Sequence, residues 1–164
     1  MPSSWAHQIP IVCNQLEKYQ PKRVLDIGVG YGKYGFLARE YGHAQIVDGI
    51  EGEPRYITKI QKAIYDSLFM FDIRDNVKNT PKDYDLVLFI DCIEHMSKED
   101  GHKVLKHFTC PIIVATPDMD FGQVIEDYPL EEHISRWYEE DFKDYSYERL
   151  SDDTGQSLII VLNP

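Results

Sequence analysis

Short apolar runs alternate along the chain with segments whose apolar residues recur at helical spacing. VLDI at 24–27, AQIVDGI at 44–50, SLFMF at 67–71, DLVLFI at 85–90 and PIIVA at 111–115 read as buried strands, because each is brief, rich in branched aliphatic side chains and bounded by polar or glycine-containing stretches. Between them, residues 33–41 read as a helix closed by Gly42. A second helix runs from Pro54, a tolerated starting position for proline, to Ile64. A third follows Ser97, which forms a capping arrangement with Asp100 and opens a helix to about His107. Trp5, Ile9, Val12, Cys13 and Leu16 have a roughly helical spacing that Pro10 is expected to break. Asp72 and Tyr84 stand close together with Pro81 between them, so the helix before the fourth strand is short or missing. Residues 139–144 read as a short helix, and SYERL at 146–150 with SLIIVL at 157–162 flank SDDTGQ as a closing hairpin. This order predicts an α/β fold, a mostly parallel sheet covered by helices. Such sheets bind ligands beyond the carboxyl ends of their strands, where the chemistry is to be sought.

Composition narrows the class. The 164 residues suit one domain, expected to span 1–164, with 43% hydrophobic residues to form a core. No apolar run approaches the ~18–20 residues of a membrane span. MPSSWAHQIP lacks the basic and apolar regions of a secretory signal, and Cys13, Cys92 and Cys110 form neither a disulfide framework nor a paired metal spacing. A reduced, cytoplasmic setting is the expectation. The net charge of −11 is concentrated: residues 118–153 hold 13 acids and 3 bases, leaving 15 acids and 14 bases elsewhere. A solvated face accounts for such a stretch, and a surface that repels phosphate backbones or attracts a cationic partner is the functional alternative.

The strand ends carry polar groups one after another. Asp26 and Gly28, Gly30 and Gly32 follow the first strand and allow a tight turn with close ligand approach, although a packing turn uses the same residues. The dinucleotide fingerprint fails because Lys33 stands at its third glycine, and the phosphate-loop pattern fails at Ile27 and Tyr34. Glu51 follows the second strand, where a carboxylate accepts from both ribose hydroxyls. Asp72 and Ile73 follow the third; an Asp here accepts from an exocyclic amine or caps a helix. Asp91, Cys92, Ile93, Glu94 and His95 follow the fourth.

VLDIGVGYGKYG (24–35), Glu51, FDIRD (71–75) and YDLVLFIDCIEHMSKEDG (84–101) together resemble the successive motifs of class I S-adenosylmethionine-dependent methyltransferases. The IEH after the fourth strand, TPD at 116–118 and EEHISRW at 131–137 resemble the branch that contains small-molecule O-, N- and C-methyltransferases. The resemblance implies a Rossmann-like three-layer sandwich with a seven-stranded sheet of order 3-2-1-4-5-7-6, strand seven antiparallel; this sequence departs from many members of that family in showing no inserted cap domain. It implies S-adenosyl-L-methionine as methyl donor and S-adenosyl-L-homocysteine as product. Asp26, Gly28, Gly30 and Gly32 would border the methionine part; Tyr31 and Tyr34 depart from the family pattern in being bulkier than the residues common in this turn, and are expected to roof the pocket. Glu51, with Gly52 beside it, would bind the ribose; Asp72 and Ile73 would hold the adenine; Asp91 and Cys92 would form the floor near the transferable methyl.

The implied reaction is an in-line displacement onto a small-molecule acceptor. His95, Glu94 and His133 are the candidate bases. No metal is expected, since the sequence shows no HExxH, no cysteine pairs and no histidine cluster. The long stretch 116–138 is expected to form a substrate-side lid carrying His133, Arg136 and Trp137. Nucleic acid is not the expected partner, since the sequence shows no basic patch interleaved with aromatics. A protein methyltransferase and a non-catalytic cofactor-binding module are the alternatives; the acceptor and the oligomeric state stay open.

Overall fold

Alternation within the strands sets the layers of this fold. The computed structural model describes residues 4–118 and 126–164. Its strands are β1 (Arg23–Ile27), β2 (Ile46–Glu51), β3 (Ser67–Met70), β4 (Leu86–Ile90), β5 (Ile112–Pro117), β6 (Ser146–Leu150) and β7 (Ser157–Asn163). Leu25, Ile27, Val87, Phe89, Ile112 and Val114 point into one core, while Val24, Leu86, Leu88, Ile90, Ile113 and Ala115 point into the other. Both faces are apolar because both are covered, which is why the strands read as continuous hydrophobic runs. The helices α1 (Gln8–Tyr19), α2 (Lys33–Glu40) and α3 (Lys59–Ile64) lie on the second face, through Val12, Leu16, Tyr34, Ala38 and Ile64. The one-turn helix α4 (Ile73–Asn76), the helix α5 (Lys98–Leu105) and residues 137–142 cover the first. The sheet order is β3-β2-β1-β4-β5-β7-β6, with β7 antiparallel to both its neighbours. The expected three-layer α/β sandwich is therefore present, strand reversal included.

Three local expectations change. Pro10 does not break α1, because it is the third residue of a helix that begins at Gln8 and its missing N–H is one of those without an intrahelical partner. The helix expected over 54–64 is divided into a 3-10 turn, Pro54–Tyr56, and α3, because Thr58 and Gln61 form a capping box that starts a new helix. Residues 139–142 form a 3-10 turn. The helix before β4 is short, as expected, with only α4 and a 3-10 turn at Val77–Asn79.

Trp137 corrects the lid expectation. It is 0% exposed and packs in the first core with Phe142. Its Nε1 donates to the Ile93 carbonyl at 3.2 Å and to Ser135 Oγ at 2.9 Å. A Cβ on Gly101 would lie 2.5 Å from the indole, so α5 carries a glycine where the ring crosses it. The indole is an anchor for the segment, and residues 119–125 of the expected lid lie outside the described residues.

On the other face, Tyr65 donates from its hydroxyl to Asp26 Oδ2 at 2.5 Å, and the Gly35 N–H in the first turn of α2 donates to the same carboxyl group. Burial pushes the Asp26 carboxyl up to about 7, against the two hydrogen bonds that favour its charged form.

Two predictions follow from this packing. Trp137→Ala should cost about 3–5 kcal/mol, the usual range for emptying a buried aromatic site, read as a lower denaturation midpoint in chemical unfolding. For Asp26, the folded carboxyl binds its proton more tightly than the unfolded one, whose value is 3.8. Its contribution is full below that value and is lost as pH rises through about 7. The stability of the wild type relative to Asp26→Asn should therefore fall as pH is raised from 4 to 7; a flat or rising difference across a pH series of denaturation curves contradicts the placement.

Candidate functional site

The turn after β1 is shaped by what it packs on. Gly28 has φ +81°, and a Cβ there would stand 2.8 Å from Cys92 Sγ, so the β1 and β4 ends meet closely only because position 28 has no side chain. The Gly28 N–H donates to the Ile50 carbonyl at 2.9 Å. The Gly30 N–H donates to Glu51 Oε2 at 3.1 Å, and the Glu53 N–H donates to Oε1 at 2.9 Å. Glu51 is thus held at the end of β2 by one backbone amide on each oxygen. A carboxylate has about four lone-pair positions, so each oxygen retains acceptor capacity. Burial raises the Glu51 carboxyl above its ordinary value, opposed by those two amides.

A cleft opens beyond these strand ends, with about 630 Å³ of empty space including its mouth. Gly28, Gly30, Asp91 and Cys92 line one end; Glu51 and Gly52 line the middle; Asp72 and Ile73 line the other end. Eight of the eleven residues expected at the cofactor therefore share one cavity. The other three do not line it. Asp26 is buried behind the loop, where it is bonded to Tyr65 and to the start of α2. Gly32 is the N-cap of α2, in a left-handed conformation. Tyr31 is 38% exposed and away from the lining, and Tyr34 is buried, its hydroxyl donating to Gln8 Oε1 at 3.2 Å. The expected tyrosine roof is replaced by core packing of Tyr34 under α1.

Asp72 combines its two sequence readings. It caps α4 by accepting from the Arg74 N–H at 2.9 Å, and it faces the cleft. The Arg74 guanidinium grips it with both Nε and Nη2, at 2.9 and 2.5 Å. Partial burial alone would raise the Asp72 carboxyl; these Arg74 contacts outweigh it and hold the group below its ordinary value. Arg74 also reaches the His95 carbonyl, at 3.4 Å.

Asp91 sits in the left-handed region at φ +46°, a strained conformation for a side-chain-bearing residue. Its Oδ1 accepts from Gln8 Nε2 at 2.8 Å. Burial raises its carboxyl, and hydrogen bonds from Gln8, the Trp5 N–H and the Ser4 hydroxyl, with the Lys33 charge, oppose that. Cys92 stays a thiol, since burial and the surrounding carboxylates push it far up. Glu51, Asp72, Asp91 and Glu131 set four carboxyl groups on the cleft wall against the single guanidinium of Arg74, among the described residues. The cavity favours a cationic ligand.

A strap from Asp127 to Trp137 crosses this wall. At one end Arg55 donates to the Asp127 carbonyl at 2.8 Å and lies 4.1 Å from the Tyr128 ring centroid, while Tyr56 stacks on the same ring. In the middle, Leu130 and Glu131 line the cleft, and Leu130 occupies the space a Cβ on Gly52 would need. Farther along, the Ile134 and Ser135 N–H groups both donate to the Glu94 carbonyl, at 2.9 and 3.1 Å.

The three candidate bases stand together here. Glu94 is buried and off the cleft wall; Thr116 donates to its Oε2 at 3.0 Å. Burial, with Asp91 and Glu131 nearby, pushes its carboxyl up to about 8. His95 lines the cleft, and burial lowers its pKa, so a neutral ring faces the cavity at neutral pH. Its Nδ1 is 3.1 Å from the Glu132 carbonyl, and its ring meets the His133 ring edge-on at 4.9 Å. The sequence shows no histidine cluster, yet the fold brings ligand atoms of Glu94, His95 and His133 within 4.8 Å of one another. Their separation in sequence hides that meeting.

Sequence reasoning missed several wall residues. Phe71 and Arg74 lie inside the FDIRD motif that marks Asp72, so that motif was the available signal. Leu130 and Glu131 arrive from a distant segment without a local signature.

No protein-family model matches the sequence, and no curated protein matches it. Solved structures do match in fold. The methyltransferase domain of a bacterial CtHen1 superposes with a TM-score of 0.66 at 18% identity, covering 96% of this chain and 98% of that one. A SAM-dependent methyltransferase from Archaeoglobus fulgidus gives 0.64 at 17%, covering 95% and 94%. The plantazolicin methyltransferase BamL, in complex with a triazolic desmethylPZN analog and SAH, gives 0.65 at 12%, covering 96% and 84%. This chain has the Rossmann-like fold of the S-adenosylmethionine-dependent methyltransferases.

Proposed function

We propose that the protein is an S-adenosylmethionine-dependent methyltransferase that moves a methyl group in-line onto an oxygen, nitrogen or carbon nucleophile of a small-molecule acceptor. The observation that carries this reading is Glu51. It stands in the middle of the cleft, each oxygen steadied by a backbone amide and each still able to accept from one hydroxyl of a vicinal diol. The wall on either side suits the rest of the donor. Asp72 and Ile73 offer a polar edge and an apolar face for a purine, and Gly28, Gly30, Asp91 and Cys92 border the methionine end. The excess of carboxyl groups over cations attracts a sulfonium.

The donor supplies an already activated methyl group, so the chain's task is alignment, exclusion of water and removal of a proton. Alignment alone is worth effective molarities of ~10⁵–10⁸ M in well-oriented systems. His95, neutral and on the wall, takes a proton from a protonated nucleophile, with His133 beside it. Glu94 lies behind them, buried against Thr116. The fold of the solved relatives supports the reading; BamL, with its bound SAH, shows that fold holding the product of the donor.

Calorimetric titration with S-adenosylmethionine and S-adenosylhomocysteine tests it. The wild type should bind both, and Glu51→Gln should bind at least about tenfold more weakly, as expected for removing a charged hydrogen-bond acceptor worth about 1.5–3 kcal/mol. Failure of the wild type to bind either ligand, or equal binding by the variant, overturns the assignment.

A further inference from the structure

We propose that Glu94, His95 and His133 form a binding site for one divalent transition-metal ion at the edge of the cleft. Their ligand atoms all lie within 4.8 Å of one another. In a tetrahedral shell with bonds of ~2.0–2.2 Å the ligand atoms are ~3.3–3.6 Å apart, so the half-buried imidazoles must turn inward to close the set.

The backbone makes this meeting a built feature. Glu94 and His95 belong to the 3-10 turn Ile93–His95 that follows β4, and His133 belongs to the strap. The strap is fixed on that turn by the Ile134 and Ser135 amides on the Glu94 carbonyl. The Ser135 hydroxyl on the Met96 carbonyl, at 2.7 Å, and the buried Trp137 on the Ile93 carbonyl complete the attachment. His133 is thereby held one residue before the docked stretch, facing His95 ring to ring.

The surrounding bonds orient the donors as a metal requires. Nδ1 of His95 donates to the Glu132 carbonyl, which leaves Nε2 with the lone pair. The Thr116 hydroxyl donates to Oε2 of Glu94, and the residue's own N–H donates to the same carboxyl group, so its orientation is fixed. Asp91 and Glu131 act on Glu94 electrostatically and deepen the negative potential there. Two imidazoles and one carboxylate favour Mn²⁺, Fe²⁺, Co²⁺ or Zn²⁺ over Mg²⁺ and Ca²⁺, which prefer all-oxygen shells. Three protein ligands leave coordination positions open, and His95 places them on the cleft.

A consequence rests on the methyl-transfer reading: the ion would hold an acceptor hydroxyl at those open positions. Metal coordination lowers the hydroxyl pKa. With both imidazoles coordinated, His95 no longer serves as the base: the hydroxyl proton leaves to water, the oxygen forms the new C–O bond, and the C–S bond breaks with its electron pair passing to sulfur.

The test uses the full chain, stripped with a chelator and titrated with Co²⁺, which reports its ligands through visible absorption. The wild type should take up one Co²⁺ per chain, and His95→Ala, His133→Ala and Glu94→Gln should each weaken uptake at least tenfold. His133→Asn serves where the alanine variants prove unstable by circular dichroism, and it should lose the same affinity. No uptake of Co²⁺, Mn²⁺ or Zn²⁺ by the wild type overturns the site. Unchanged uptake in the variants overturns it also, by placing the ion on the Glu51, Asp91 and Glu131 carboxylates. S-adenosylmethionine binding measured on the same samples separates the two proposals: donor binding without metal uptake removes only the metal site, and metal uptake without donor binding removes only the methyl-transfer reading.

Discussion

The buried Trp137 indole holds the candidate site together. Its hydrogen bond to the Ile93 carbonyl ties the strap to the turn after β4, and its ring fills the space left by Gly101 on α5. Two backbone amides just before it in the strap, Ile134 and Ser135, reach the Glu94 carbonyl. With the Arg55 and Tyr56 contacts on Tyr128 at the other end, the strap becomes a fixed wall of the cleft. A flexible segment would pay a large ordering entropy on every binding event. This one is already ordered where it carries Leu130, Glu131 and His133.

A second constraint runs through the cleft: carboxyl groups held where water reaches them poorly. Glu51, Asp91 and Glu94 are each pushed toward their protonated forms by burial. Removing acids from water is unfavourable unless hydrogen bonds or a cation compensate. Backbone amides compensate Glu51, Gln8 partly compensates Asp91, and Thr116 compensates Glu94. The remaining imbalance favours positively charged ligands, and the two proposals, a sulfonium in the cleft and a dication at its edge, both rest on it.

Local patterning made much of this legible. The five buried runs marked β1 to β5, and the final hairpin marked β6 and β7, since a strand covered on both faces must be apolar at successive positions. The polar residues closing those runs marked the cleft, because backbone direction alone brings the ends of parallel strands together. Errors arose where a local rule depends on position. Pro10 reads as a breaker until the first helical residue is known, and 54–64 reads as one helix until the Thr58 cap is seen. Trp137 reads as a lid residue because a long connection at the binding edge is often mobile; its complement, Gly101, lies far away in sequence.

The amino-acid sequence by itself determined the sheet, its covering helices and the row of Gly28, Glu51, Asp72 and Asp91 at the strand ends. Those features follow from periodicity and chain direction, which are local properties. Tertiary structure alone decided that Asp26 lies behind the loop with Tyr65, that Arg74 grips Asp72 on the cleft wall, and that His133 meets Glu94 and His95. These are meetings between side chains from separate elements. Their distances depend on how the strap, the sheet and the helices pack, which no single stretch of sequence encodes.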